Sequence, residues 1–120
     1  MPKAPVVHRW TELAVDTPMA LLERRRVIGE KVMISHVLLK KGCDVPVHSH
    51  ENEQMSIVLS GKVRFDLTAP GAGAKREVIV GPGEVLELPS HAPHGAFALE
   101  ETLILDIFAP PSQATGIDRR

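Results

Sequence analysis

A chain of 120 residues with 43% apolar and 24% charged side chains has the length of one globular domain and is too apolar to remain disordered. A formal net charge of −1 argues against a phosphate backbone as the main partner, and no run approaches the ~20 apolar residues that span a bilayer. Neither nucleic acid nor membrane is therefore an expected partner, and the single cysteine, Cys43, excludes an internal disulfide and fits a reducing, cytoplasmic setting. Six histidines point toward metal or proton chemistry, while ten prolines and nine glycines point to many turns.

In chain order, residues 1–29 form an arm and edge strand, with Pro2, Pro5, Pro18 and a lone Trp10 in the arm. Residues 20–28 (ALLERRRVI) fit either an edge strand or a short helix, and Gly29 ends them. From there the chain is a series of short β-like runs closed by Gly or Pro, at 32–39, 55–59, 62–67, 77–80, 85–88, 95–98 and 102–108. No helical period of any length lies between Gly29 and Pro110. The pattern predicts an all-β sandwich or barrel over residues 30–110. Residues 68–76 (TAPGAGAKR) read as a flexible hairpin tip, and residues 111–120 as a flexible tail that frays or docks on a neighbour.

The chemistry concentrates in residues 42–61, GCDVPVHSHENEQMSIVLSG. His48 and His50 are two apart, so in an extended segment their imidazoles leave one face and can share a first-row metal ion. Gln54 lies at an even spacing beyond them; Glu53, of opposite parity, takes its place if the loop bulges. A second stretch, GEVLELPSHAPH at 83–94, brings His94 in after Pro89 and Pro93. Three imidazoles and one side-chain oxygen make a partial coordination shell with open positions, provided the two stretches are neighbours in space. His8 and His91 read as packed or solvated. His36 alternates with Ile34 and Leu38 as an interior residue, and Cys43 reads as a small, inert thiol.

The first stretch resembles the first cupin motif, G-x5-H-x-H-x3-E-x6-G, at Gly42, His48, His50 and Gly61, with Gln54 in the glutamate's place. The second resembles the second cupin motif, G-x5-P-x-G-x2-H-x3-N, at Gly83, Pro89 and His94, with His91 replacing a glycine and Ala98 the asparagine. The resemblance implies a single-domain jelly-roll β-barrel carrying a divalent metal ion (manganese, nickel, zinc or iron) on His48, His50, Gln54 and His94. A shell of three His and one Gln is neutral and leaves the ion its full charge, which favours Lewis-acid work on an anionic oxygen over redox cycling.

The run 102–108 (TLILDIF) places Ile104, Asp106 and Phe108 on one face. A carboxylate in so apolar a strand needs a partner, a cation or a proton; facing the metal, its natural task is proton transfer. HSHENEQ, PSHAPHG and LDIFAPP are together similar to the small pectin-degradation cupins that linearise 4,5-unsaturated uronates. That likeness implies Asp106 as the catalytic residue and Phe108 as a pocket wall. It also implies an arginine shortly after this strand, which APPSQAT at 109–115 lacks, so Arg24 or Arg26 is the candidate for a substrate carboxylate. Ala96 and Ala98 leave room for a small ligand. The expectation is a Lewis-acid isomerase or lyase on a small oxygenated carboxylate, set against an iron dioxygenase and a non-catalytic binding barrel. A homodimer is expected, with the arm or tail crossing to the second copy.

Overall fold

The structure, a computed structural model, describes residues 3–68, 75–113 and 115. A single 3-10 turn, Trp10–Glu12, precedes ten strands: β1 Asp16–Met19, β2 Leu22–Ile28, β3 Met33–Leu39, β4 Asp44–His48, β5 Glu53–Ser60, β6 Val63–Thr68, β7 Lys75–Val80, β8 Val85–Leu88, β9 His94–Ala98 and β10 Thr102–Ala109. They form two antiparallel sheets, one of six strands in the order β1-β2-β3-β10-β5-β8 and one of four in the order β4-β9-β6-β7. The architecture is the all-β jelly roll expected. Among the described residues no helix is long and apolar enough to cross a membrane.

The ambiguous run at 20–28 is strand. Leu22 and Arg24 turn inward on β2, which pairs along its whole length with β3. β3 has a strict two-residue rhythm, Met33, Ser35, Val37 and Leu39 being buried, and β10 matches it with Thr102, Ile104 and Phe108. Of these, Val37, Leu39 and Ile104, with Leu22, join Val45, Val63, Phe65 and Ala98 of the smaller sheet in one core. Fully burying each such aliphatic side chain is worth about 1.5–3 kcal/mol before entropy is counted. Cys43, fully buried in this core, has its thiol pushed up by desolvation and beside Asp44, as expected of an inert position.

β1 falls within the arm and edge strand read at 1–29, whereas β4 lies outside the runs read from the sequence. β4 carries a single core valine, Val45, among polar and proline positions, with Val47 exposed, too weak an alternation to stand out. His36 is not interior: it lies on the outer face of β3, its ring 4.9 Å from that of Trp10. Desolvation under that ring, with Arg25 beside it, lowers its pKa. The hairpin tip at 69–74 and residues 114 and 116–120 of the tail lie outside the described residues.

Candidate metal centre

The three motif histidines converge where the chain crosses from the smaller sheet to the larger. His48 ends β4 and sits opposite His94, the first residue of β9. His50 follows in the connection to β5, and Gln54 is the first inward residue of β5. Ring centroids are separated by 4.4 Å for His48 and His94, 5.1 Å for His50 and His94, and 5.8 Å for His48 and His50. One ligand nitrogen from each histidine falls within 4.8 Å of the others, close to the limit of about 4 Å for nitrogens that each lie about 2 Å from a shared ion.

Backbone carbonyls fix each ring. Nδ1 of His48 donates to Pro46 O at 2.8 Å, that of His50 to Asn52 O at 3.1 Å, and that of His94 to Ala92 O at 2.9 Å. A carbonyl only accepts, so each Nδ1 carries the proton and each Nε2 keeps its lone pair. His94 is also held neutral, its pKa pushed down to about 4, chiefly by burial and further by His48 and His50.

Gln54 completes the test of fit. Its Nε2 donates to Ser56 Oγ at 2.9 Å and to Asp106 Oδ1 at 3.1 Å, which leaves Oε1 facing His50 Nε2 at 3.0 Å. Two lone-pair atoms at that separation repel unless a cation lies between or beside them. The donor set therefore fits a divalent cation on three imidazoles and one amide oxygen. Glu53 points outward and is exposed, so the alternative of opposite parity is closed.

The tight turn before β6 needs Gly61: its φ is +90°, and a Cβ there would lie 2.2 Å from Glu101 O. His91 holds a φ of +67° where the motif has glycine, and its N–H donates to His50 O at 2.8 Å. The departure from the motif thus keeps the glycine-like backbone and ties the two histidine stretches together.

A cavity of about 60 Å³, open at its mouth, lies against this cluster, with His48, Gln54, His94, Ala96, Asp106 and Phe108 in its walls. Phe108 also packs edge-on against His50 at 5.7 Å between centroids. Asp106 accepts from Ser56 Oγ at 2.5 Å and from Gln54; desolvation outweighs these bonds and pushes its carboxyl up to about 6.

Three residues expected at the substrate do not line this cavity. Ala98 is buried in the core opposite Val63, at the far end of β9 from His94. Arg26 is not in the cavity wall: its Nη1 donates to Gln113 O at 2.9 Å and its Nη2 lies 3.8 Å from Asp16. Arg24 is buried and grips Asp16 with two bonds, Nε to Oδ1 at 3.1 Å and Nη2 to Oδ2 at 2.6 Å.

Three other residues were not anticipated. Ser56 is fully buried between Gln54 and Asp106. Asn52, also buried, donates from Nδ2 to Pro110 O and so ties the histidine loop to the end of β10. Thr115 is buried in the cavity wall, although the tail around it reads as polar and free. Ser56 had a signal in its even spacing from Gln54; Asn52 and Thr115 had none.

The family model for the cupin domain matches residues 35–108, more than half the chain. The protein belongs to the cupin family. Its structure is similar to KdgF from Halomonas sp., with a TM-score of 0.78 and 26% identity over 92% of this chain and 97% of that one. It is similar also to an RmlC-like cupin from Shewanella frigidimarina, with a TM-score of 0.78 and 20% identity over 94% of this chain and 97% of that one. Oxalate decarboxylase from Bacillus subtilis, a protein with Mn(II) centres, matches with a TM-score of 0.80 and 20% identity over 94% of this cupin but only 33% of the larger chain. No curated protein sequence matches.

Proposed function

We propose that this cupin binds one divalent cation through His48, His50, His94 and Gln54, and acts as a Lewis-acid isomerase or lyase on a small oxygenated carboxylate such as an unsaturated uronate. The observation that carries the reading is Asp106: a desolvated carboxyl with a pKa of about 6, bonded to the amide of a ligand and set in the wall of the same cavity. A group poised so near neutrality exchanges a proton with substrate in either direction. The likeness to KdgF, of the pectin-degradation group that the sequence resembles, supports the sugar-acid class.

A divalent ion bound there supplies Lewis-acid polarisation of a substrate oxygen. The rest falls to the chain's own residues. Ser56 and Gln54 hold Oδ1 of Asp106 in place, so its remaining carboxylate oxygen is the one to take or give a proton. Leu22, Val37 and Ile104 make the deep wall apolar and keep water from competing for that proton. Phe108 and Ala96 stand in the wall beside the histidines, where a small ligand would enter from the open mouth. The deciding experiment incubates protein purified without chelator with 4,5-unsaturated uronates and follows loss of their ultraviolet absorbance. Turnover that is lost in Asp106→Asn supports the reading; oxygen uptake with iron, or a held metal with no turnover, overturns it.

A further inference from the structure

The cavity beside the histidines is too small for the substrate class proposed above. It holds about 60 Å³, room for a few waters, against the roughly 300 Å³ at which ligand pockets begin. Among the described residues every position in its wall lies in a strand except Thr115, which the tail brings in from beyond β10. Two bonds carry the tail there: Asn52 Nδ2 donates to Pro110 O, and Arg26 Nη1 donates to Gln113 O at 2.9 Å. Register puts Arg26 in the row of Asp106. Arg26 pairs with Ser35, Ser35 with Asp106, and Asp106 with Ser56, all on the inner face of the larger sheet. Two strand spacings, about 10 Å, therefore separate the Arg26 backbone from that of Asp106, with the small, buried Ser35 between them.

Arg26 is the less satisfied of two neighbouring guanidiniums. Arg24, 3% exposed, takes both oxygens of Asp16, whereas Arg26 reaches that carboxylate only at 3.8 Å. Among the described residues its close partner is the neutral Gln113 carbonyl, and at 19% exposure it stays within reach of solvent. A carboxylate suits it better, since a charge-assisted, two-pronged bond is about twice as strong as a neutral one. The inference rests on the sugar-acid reading above: we propose that Arg26 takes the carboxylate of the substrate and that the tail is a strap which the substrate displaces. The Gln113 carbonyl holds the carboxylate's place on Arg26, and Thr115 closes the wall until then. Release of the strap opens the cavity along the row from Arg26 to Asp106, so a carboxylate fixed at one end sets the rest of the ligand before Asp106. The closed strap lowers apparent affinity in proportion to the fraction of molecules that are shut. It also disfavours neutral sugars, which offer Arg26 no charge in exchange for the carbonyl.

Isothermal titration of the full chain, purified without chelator, with galacturonate and with galactose tests this, circular dichroism confirming that each variant is folded. The wild type is expected to prefer galacturonate. Arg26→Gln is expected to weaken galacturonate binding about tenfold and galactose binding not at all, with part of the loss recovered in Arg26→Lys. Gln113→Gly with Thr115→Gly loosens the strap without changing charge and is expected to strengthen galacturonate binding about fivefold. Equal binding of the two sugars by the wild type, a preference that survives Arg26→Gln, or a loosened strap that binds no more tightly would overturn the proposal. Galacturonate held through Arg26 without turnover of unsaturated uronates keeps the proposal and removes the isomerase reading. Turnover with the two sugars bound alike does the reverse.

Discussion

The hydroxyl of Ser56 donates to Oδ1 of Asp106 at 2.5 Å, and the same hydroxyl accepts from the amide of Gln54. This pair does two things at once. It fixes which way the Gln54 amide points, and it holds a costly, partly buried carboxylate beside the histidine cluster. Removing the hydroxyl leaves Gln54 bonded to Asp106 alone. Ser56→Ala is therefore expected to lower metal affinity about tenfold and to raise the Asp106 pKa, both recovering in Ser56→Thr. Isothermal titration and the pH profile of turnover read the two effects.

Asp106→Asn keeps the size of the side chain but cannot exchange a proton. Turnover on the proposed substrate is expected to fall by about 10²–10⁴, the usual worth of a positioned acid or base, with metal still bound. Full activity in this variant would remove Asp106 from the chemistry.

Gln54→Glu restores the residue usual in the first cupin motif but sets a second carboxylate against Asp106. In metal-free protein this is expected to cost about 1–3 kcal/mol in chemical denaturation at pH 7, because one carboxyl must take up a proton or both must repel. A bound divalent cation is expected to return most of that stability. Equal stability of the two metal-free proteins would show that the Gln54 amide does not donate to Asp106.

The pH dependence of metal-free protein follows from two opposed groups. His94 titrates at about 4 in the folded chain against an ordinary 6.5, so stability is lost as pH falls from 6.5 to 4. Asp106 titrates at about 6 against an ordinary 3.8, so stability is gained as pH falls from 6 to 3.8. Wild-type stability is expected to stay nearly level across this window. In Asp106→Asn the loss stands alone, on the order of 3 kcal/mol between pH 6.5 and 4, and in His94→Gln a gain of similar size stands alone. Urea denaturation at stepped pH measures all three curves; parallel curves would contradict the assignment.

Much of the fold was legible because alternation is strong where a strand is buried on one face, as in MISHVLL and TLILDIFA. It failed where burial does not follow parity. His36 shares its parity with Ile34 and Leu38, but an arm ring, not the core, covers that face. The clustering of His48, His50 and His94 was legible because two-residue spacing and glycine-closed turns constrain direction locally. The arginines were not: Arg24 and Arg26 turn on Asp16 and Gln113, 8 and 87 residues away in sequence, and no local pattern encodes such a partner. Ala98 failed for a simpler reason, since parity assigns a face but not a depth along the strand.

Gly61 and His91 offer a check on the backbone itself. Gly61→Ala is expected to lose at least about 2 kcal/mol, because its Cβ meets Glu101 O as well as a disfavoured φ. His91→Gly, which only relieves φ, is expected to change stability by less than about 1 kcal/mol. Thermal melts of both separate a steric demand from a conformational one.

The most direct measurement is metal binding to protein stripped with chelator and dialysed, followed by calorimetry with manganese, nickel, zinc and iron(II). One ion per chain is predicted, with affinity reduced at least a hundredfold when either His48 or His94 becomes alanine. No binding of any of the four, or binding that survives loss of both histidines, would contradict a shared cation at this centre.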